Sequence, residues 1–382
     1  MRLKGLVLRI IIALIISYAA YIITDNIAVN NWNNSESLIV QVIEAGEESV
    51  VTSDNDNNED NEDNEDRYET LQRDTVMNIL SGNDAGKTIN VKTVRLAGSS
   101  LNVSAGNRYL LVWDTFEDGH VQYSIADAFR VPSVLCVIFL VCTLLMAFTG
   151  WRGFFALLGL GASIFILVFA MIPLVVRGWD SVWLAIASVF IISTITILCV
   201  VRHSRYRIAA LTGTLGGVTG GFFCGAAMVY LWKLTGLAGE GSALLASTLP
   251  FLNMRGLLLA SVLIGSIGAV LDVSISITAS MSEFVDYDEN IHLDRLLIAG
   301  LNVGTEVLGS MINTLILAYM GSALPMAVLI SSAGAELSGI LNDPYIAQEI
   351  VQSLAGTLGL LFTIPASAFS FVTVHSLRRD DD

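Results

Sequence analysis

Apolar residues gather in eight long runs, at about 6–23, 131–148, 153–176, 181–201, 208–232, 256–281, 296–320 and 350–375. Each is near the roughly 20 residues that cross a bilayer core, so the pattern predicts eight membrane-spanning helices. The polar breaks between them orient the chain. Arg202, Arg205 and Arg207 form the strongest basic loop, and Arg152, Arg378 and Arg379 fall on the same side by alternation. Basic loops stay in the cytoplasm, so both termini are expected inside. Single cations at Arg177, Lys233 and Arg255 fall on the other side. Trp151, Trp179 and Trp183 sit at run ends, as interfacial anchors do. The stretch 296–333 is too long for one straight span and too short for two. Gly321 to Pro325 interrupts it, which predicts a span followed by a re-entrant segment at 321–333, or by an interfacial helix.

Between the first and second runs the pattern changes to alternation. Residues 37–43, 74–80, 88–94, 108–113 and 121–125 read as strands, with Ser81-Gly82 and Glu117-Asp118-Gly119 as turns. About five short strands predict a small antiparallel barrel of OB or SH3-like type. The organisation expected is a signal-anchor helix at 1–23, uncleaved because Ser17 to Ala20 makes a poor cleavage site. An extracytoplasmic β domain at 24–130, a helical membrane domain at 131–377 and a cytoplasmic tail at 378–382 follow. The whole is expected to be an α-helical polytopic membrane protein.

Composition supports this division. The 382 residues are 54% hydrophobic and 14% charged, against about 25% charged in a soluble protein. The net charge of −15 is concentrated, because eight acids lie between Asp54 and Asp66. Such a tract repels itself and reads as a disordered linker. Without a basic face, nucleic-acid binding is not expected. The four cysteines, Cys136, Cys142, Cys199 and Cys224, all lie in apolar runs without a CxxC pair, so neither a disulfide framework nor a metal centre is indicated.

Two runs carry polar residues at membrane depth, where an acid is costly and tends to mark function. At 100° per residue, Gly265, Gly268, Asp272, Ser276, Ala279 and Glu283 share one stripe. Asn302, Glu306, Gly309 and Asn313 share another on the next helix. With the helices antiparallel, Asp272 lies about 13 Å and Glu306 about 15 Å from the same membrane face. A shared polar seam is therefore expected, in which the two carboxylates share a proton or hold a cation. Oxygens of Ser276, Ser280, Thr314, Asn302 and Asn313 would suit H⁺, Na⁺ or a hard divalent cation. The plainer alternative makes these groups interhelical glue. Glu349 opens the last run and is a candidate for an external vestibule, whereas Asp286, Asp288, Glu289, Glu336 and Asp343 read as solvated loop acids. Gly213, Gly217, Gly221 and Gly225, with Gly265, Gly268 and Gly309, let helices approach closely within a protomer or in a homo-oligomer.

The membrane half resembles the YibE/F family of bacterial multispan proteins. The resemblance is carried by Gly265-Ser-Ile-Gly-Ala-Val-Leu-Asp272-Val-Ser-Ile-Ser-Ile, Gly300-Leu-Asn302-Val-Gly304, Thr314 to Tyr319 and Glu349 to Gly359. Leu80-Ser-Gly82 and Ala126-Asp127-Ala-Phe-Arg130 extend it into the β segment. The family pattern has a base beside the acid after Asn-Val-Gly, where this chain has Thr305-Glu306. The resemblance implies a membrane fold and, by analogy, a permease, without a substrate. No GxxxxGK[ST], HExxH or nucleophile elbow occurs, so no enzyme, ATPase or resident cofactor is expected. Two functions remain: an ion-coupled permease with an intramembrane carboxylate site, or an accessory or sensor whose β domain binds an envelope partner.

Overall fold

The computed structural model describes residues 2–30, 32, 37–47, 49–51, 70–82, 84–96, 103–115, 121–201, 204–288 and 291–379. The acidic tract 54–66, the turn at 117–119, Glu289 and Arg202 lie outside the described residues. Contacts gather the chain into two units, Met1–Gly150 and Trp151–Asp382.

The first unit holds helices α1 (Arg2–Asn30) and α2 (Val131–Thr149) and a curled antiparallel sheet. Its strands are β1 (Leu38–Ala45), β2 (Ser49–Val51), β3 (Thr70–Ile79), β4 (Thr88–Leu96), β5 (Arg108–Thr115) and β6 (Val121–Ala128). The order is β2-β3-β1-β5-β6, with β4 also paired to β3. Six strands stand where the pattern shows five, because Ser49-Val50-Val51 is too short to alternate. Alternate positions build the core: Val40 and Val42 of β1, Met77 and Ile79 of β3, Val91 of β4, and Tyr109 and Leu111 of β5 are buried. The β3–β4 turn places Gly82 at φ +80°, a left-handed backbone that glycine adopts without a Cβ penalty. The Ser81 hydroxyl beside it accepts from the Ile39 N–H at 2.8 Å. An Arg108–Asp25 ion pair ties the sheet to α1. Beyond β6, Arg130 grips Asp127 through both guanidinium ends at 2.5 and 2.7 Å, which holds that carboxyl below its ordinary pKa. Pro132 then opens α2 in the first turn, where no N–H is needed.

The second unit is helical. Trp151–Phe165 (α3) continues through a π turn, Ile166–Met171, into α4 (Ile172–Val176). The wider turn falls just before Pro173, which cannot donate to the ladder. Then come α5 (Ser181–Val200), α6 (Arg207–Leu231), α7 (Glu240–Thr248), α8 (Met254–Tyr287), α9 (Leu293–Ser332), α10 (Leu337–Asn342) and α11 (Pro344–Arg379). Side chains cap the helix starts. Asp180 accepts from Val182 and Trp183, Asn253 from Gly256, and Asp343 from Tyr345 and Ile346. Asp343 thus closes a helix end and is not simply a solvated loop acid.

Among the described residues of both units, eight helices are long and apolar enough to cross a membrane. The expected interruption at 321–333 is not present. Helix α9 runs for 40 residues straight through Pro325. One lost backbone bond costs about 3 kcal/mol. Ending the helix there would leave the last carbonyls before the break and the first N–H groups after it without helical partners.

Helix α11 packs most extensively on α6 and also against α8 and α9. Glycines set the approach. Gly213, Gly217, Gly221 and Gly225 are buried on one face of α6. A Cβ on Gly221 would fall 2.8 Å from the Ala355 carbonyl oxygen and 3.0 Å from the Gly359 Cα. A Cβ on Gly225 would fall 2.9 Å from Val262 of α8. Ser274 of α8 donates to the Ala210 carbonyl at 2.7 Å, and Ser367 of α11 donates to Ser274 at 3.0 Å. This buried hydroxyl chain joins three helices where Gly213 leaves room.

Candidate functional site

Helix α8 packs against α5, α6, α9 and α11, and its remaining face is open. That face carries the stripe of Asp272. Gly268, Asp272, Ala279 and Glu283 are exposed, while Gly265 and Ser276 are partly covered. Apart from the neighbouring backbone of its own helix, no atom of the described residues comes within 4 Å of a Cβ built on Gly268, so the stripe is open one turn from Asp272. Asp272 takes part in no hydrogen bond or ion pair among the described residues.

The stripe extends one turn further than the sequence pattern suggested, to Ser261. From Ser261 to Glu283 it covers about 33 Å, close to the hydrocarbon thickness of a bilayer. Asp272 stands midway, eleven residues from each end.

At the Ser261 end the stripe meets a polar cluster from three helices. Gln352 of α11 donates to Ser261 at 3.3 Å. Ser322 of α9 donates to Glu349 of α11 at 2.9 Å, and Tyr319 stands in the field of the same carboxylate. The Tyr319 hydroxyl occupies the space that a side chain on Gly265 would need. A pocket of about 300 Å³ opens beside it, lined by Ser261, Ser242 and Gln348. Of this cluster the sequence pattern singled out only Glu349 and Gly265. Ser261 lies one turn before Gly265 and Gln352 one turn after Glu349, so the period of 3.6 could have found both. Tyr319 and Ser322 reach the cluster only because α9 remains helical beyond Gly321.

At the other end, Ala279 and Glu283 line a cleft of about 720 Å³ between α3, α5, α6 and α8. Thr278 and Ser282 border it from α8, Arg152 from α3 and Arg207 from α6.

The second stripe does not join the first. Asn302, Glu306, Gly309 and Asn313 are all exposed. Helix α9 instead turns its small residues inward: Gly300 is buried against Met281, and Gly304 against Ile277 and Ile364. At 100° per residue, Glu306 lies about 160° and Asn313 about 180° around the helix from Gly304. The seam expected between Asp272 and Glu306 therefore does not form. Paired cysteines at 281/300 and at 277/304 are expected to crosslink within one chain lacking the four native cysteines, whereas 276/309 is not. Equal crosslinking of 276/309 would show α9 to be rotated from this arrangement.

Among the described residues no group of three His, Cys, Asp or Glu side chains could hold a metal ion. The open carboxylates and hydroxyls of the α8 stripe are instead hard oxygen donors spread along a path.

Long apolar helices around a polar face define a polytopic α-helical membrane protein. The chain belongs to the YibE/F-like family, whose model matches residues 136–376. No curated protein and no solved structure matches it.

Proposed function

We propose that the protein is a permease moving H⁺, Na⁺ or a hard divalent cation along the open face of α8. One observation carries this reading: a single polar stripe connects a pocket at the Ser261 end to a cleft at the Glu283 end, with a lone carboxylate midway. A carboxylate there lowers the barrier for a cation that has left water, and deep acids of this kind line ion paths. Ser276, Ser261 and Glu349 supply further oxygens, and Glu283 receives the ion at the cleft. Asn302, Glu306 and Asn313 face away from this path and serve a separate polar surface, which a homo-oligomer would cover.

In this reading both termini and the Arg207 end are cytoplasmic, the first helix is an uncleaved anchor, and residues 24–130 lie outside the bacterial plasma membrane as a barrel of OB or SH3-like type. The protein is not an enzyme and holds no resident cofactor; the cation is cargo or coupling ion. Purified protein in liposomes is expected to carry cation or proton flux down an imposed gradient, and absence of flux for every cation tried would overturn the reading.

A second reading rests on the sheet, which has a hydrophobic core of its own. It makes the chain an accessory or sensor whose β unit binds an envelope partner. Deleting residues 30–125 then abolishes the cellular phenotype with the remaining helices still folded. A phenotype that survives the deletion removes this reading.

A further inference from the structure

The cleft at the Glu283 end is lined by two arginines, Arg152 and Arg207, as well as by the carboxylate. Arg152 is exposed at the start of α3 and forms no ion pair among the described residues. Arg207 donates its Nε–H to the Val201 carbonyl at 3.2 Å, which fixes the guanidinium at the cleft wall. Glu283 lines the same cleft, but no ion pair joins it to either arginine among the described residues.

A second feature points to a ligand. Thr278 is only 1% exposed, borders the cleft, and its hydroxyl has no hydrogen-bond partner among the described residues. A buried hydroxyl left without a partner costs about 1–3 kcal/mol. Helical threonines elsewhere in the unit spend theirs on a preceding carbonyl, as Thr214 does on Ala210 at 2.9 Å and Thr363 on Gly359 at 2.7 Å. At Thr278 no such bond is made among the described residues, and the cleft it borders is lined by Arg152 and Arg207 as well.

We propose that this cleft binds a phosphate group, held by Arg152, Arg207 and the Thr278 hydroxyl. The fork of a guanidinium matches two oxygens of a phosphate, and two arginines with a hydroxyl surround a tetrahedral anion from three elements. Basic pockets between membrane helices take the headgroups of anionic lipids. Here Phe155 and Ile275 give the cleft apolar walls suited to acyl chains. A soluble phosphate offers the same anion without the chains. The proposal does not depend on transport, and binding is measured without flux.

The test uses the full chain in a neutral detergent free of phosphate, with thermal unfolding as readout. Phosphatidylglycerol is expected to raise the Tm by several degrees, with phosphatidylcholine leaving it unchanged. If inorganic phosphate alone gives the full rise, the source of the anion is soluble; if only phosphatidylglycerol does, it is lipid. Arg152→Gln and Thr278→Val are each expected to remove most of the shift, with the unliganded Tm at the parent's value in Arg152→Gln and at or above it in Thr278→Val, which removes the unpartnered hydroxyl. Arg207→Gln serves as a third variant, since it also frees the Val201 carbonyl. The proposal is overturned if phosphatidylcholine acts as strongly as phosphatidylglycerol, if neither phosphatidylglycerol nor phosphate shifts the Tm, or if both Arg152→Gln and Thr278→Val retain the full shift.

Discussion

Replacing Asp272 by Asn is expected to abolish cation flux in liposomes and to leave the fold at least as stable as the parent. The two outcomes have one cause. A carboxylate midway along a span costs about 2.5–3.5 kcal/mol on insertion scales, and Asn of nearly the same volume costs less. Among the described residues the side chain makes no hydrogen bond whose loss would offset that gain. Asn keeps the shape of the stripe but presents neither a negative charge nor a proton acceptor. A fall in flux of about a hundredfold corresponds to a barrier higher by about 2.7 kcal/mol, a size within reach of one lost ion contact at membrane depth. Flux and thermal unfolding measured on the same preparation check both halves. Full flux in the variant would remove Asp272 from the path, whereas lost stability would show it to be interhelical glue.

Gly221→Val is expected to have the largest effect on folding. Its Cβ would enter the van der Waals space of the Ala355 carbonyl oxygen and the Gly359 Cα, both backbone atoms of α11 that no rotamer change can move. Overpacking usually costs about 1–3 kcal/mol, and separating α6 from α11 forces a whole interface to shift, so the cost lies at or above the top of that range. Against it stands a gain of only a few tenths of a kcal/mol, since Val is a slightly better helix former than Gly. The expected result is a lower yield of monodisperse protein and a Tm reduced by many degrees. Gly309→Ala is the control. Beyond its own helix backbone a Cβ there meets nothing within 4 Å among the described residues, so the helix-propensity gain of about 1 kcal/mol is unopposed and the Tm is unchanged or higher. Adding a Cβ thus has opposite consequences at two helical glycines, decided by what faces each.

That contrast marks how far the sequence could be read. Spans were legible because hydrocarbon demands a long apolar run, and composition alone meets that demand. The alternating segments were legible as strands for the same local reason, although the short β2 was not. The stripe through Asp272 was also legible, since its members are set by helical period within one element. The facing of that stripe was not. Spacing places Glu306 and Asn302 on one side of α9 but is silent on which side turns toward α8. Packing decided it, because Gly300 and Gly304 let α9 approach Met281, Ile277 and Ile364 more closely than the polar face could. The continuity of α9 through Pro325 was likewise a contest of energies beyond the local pattern, and it alone delivers Tyr319 and Ser322 to Glu349. Sequence by itself determined which segments are helices and where each polar stripe lies on its own axis. Tertiary structure decided which stripes meet, because the rotation of one helix against another depends on side chains distant in the chain.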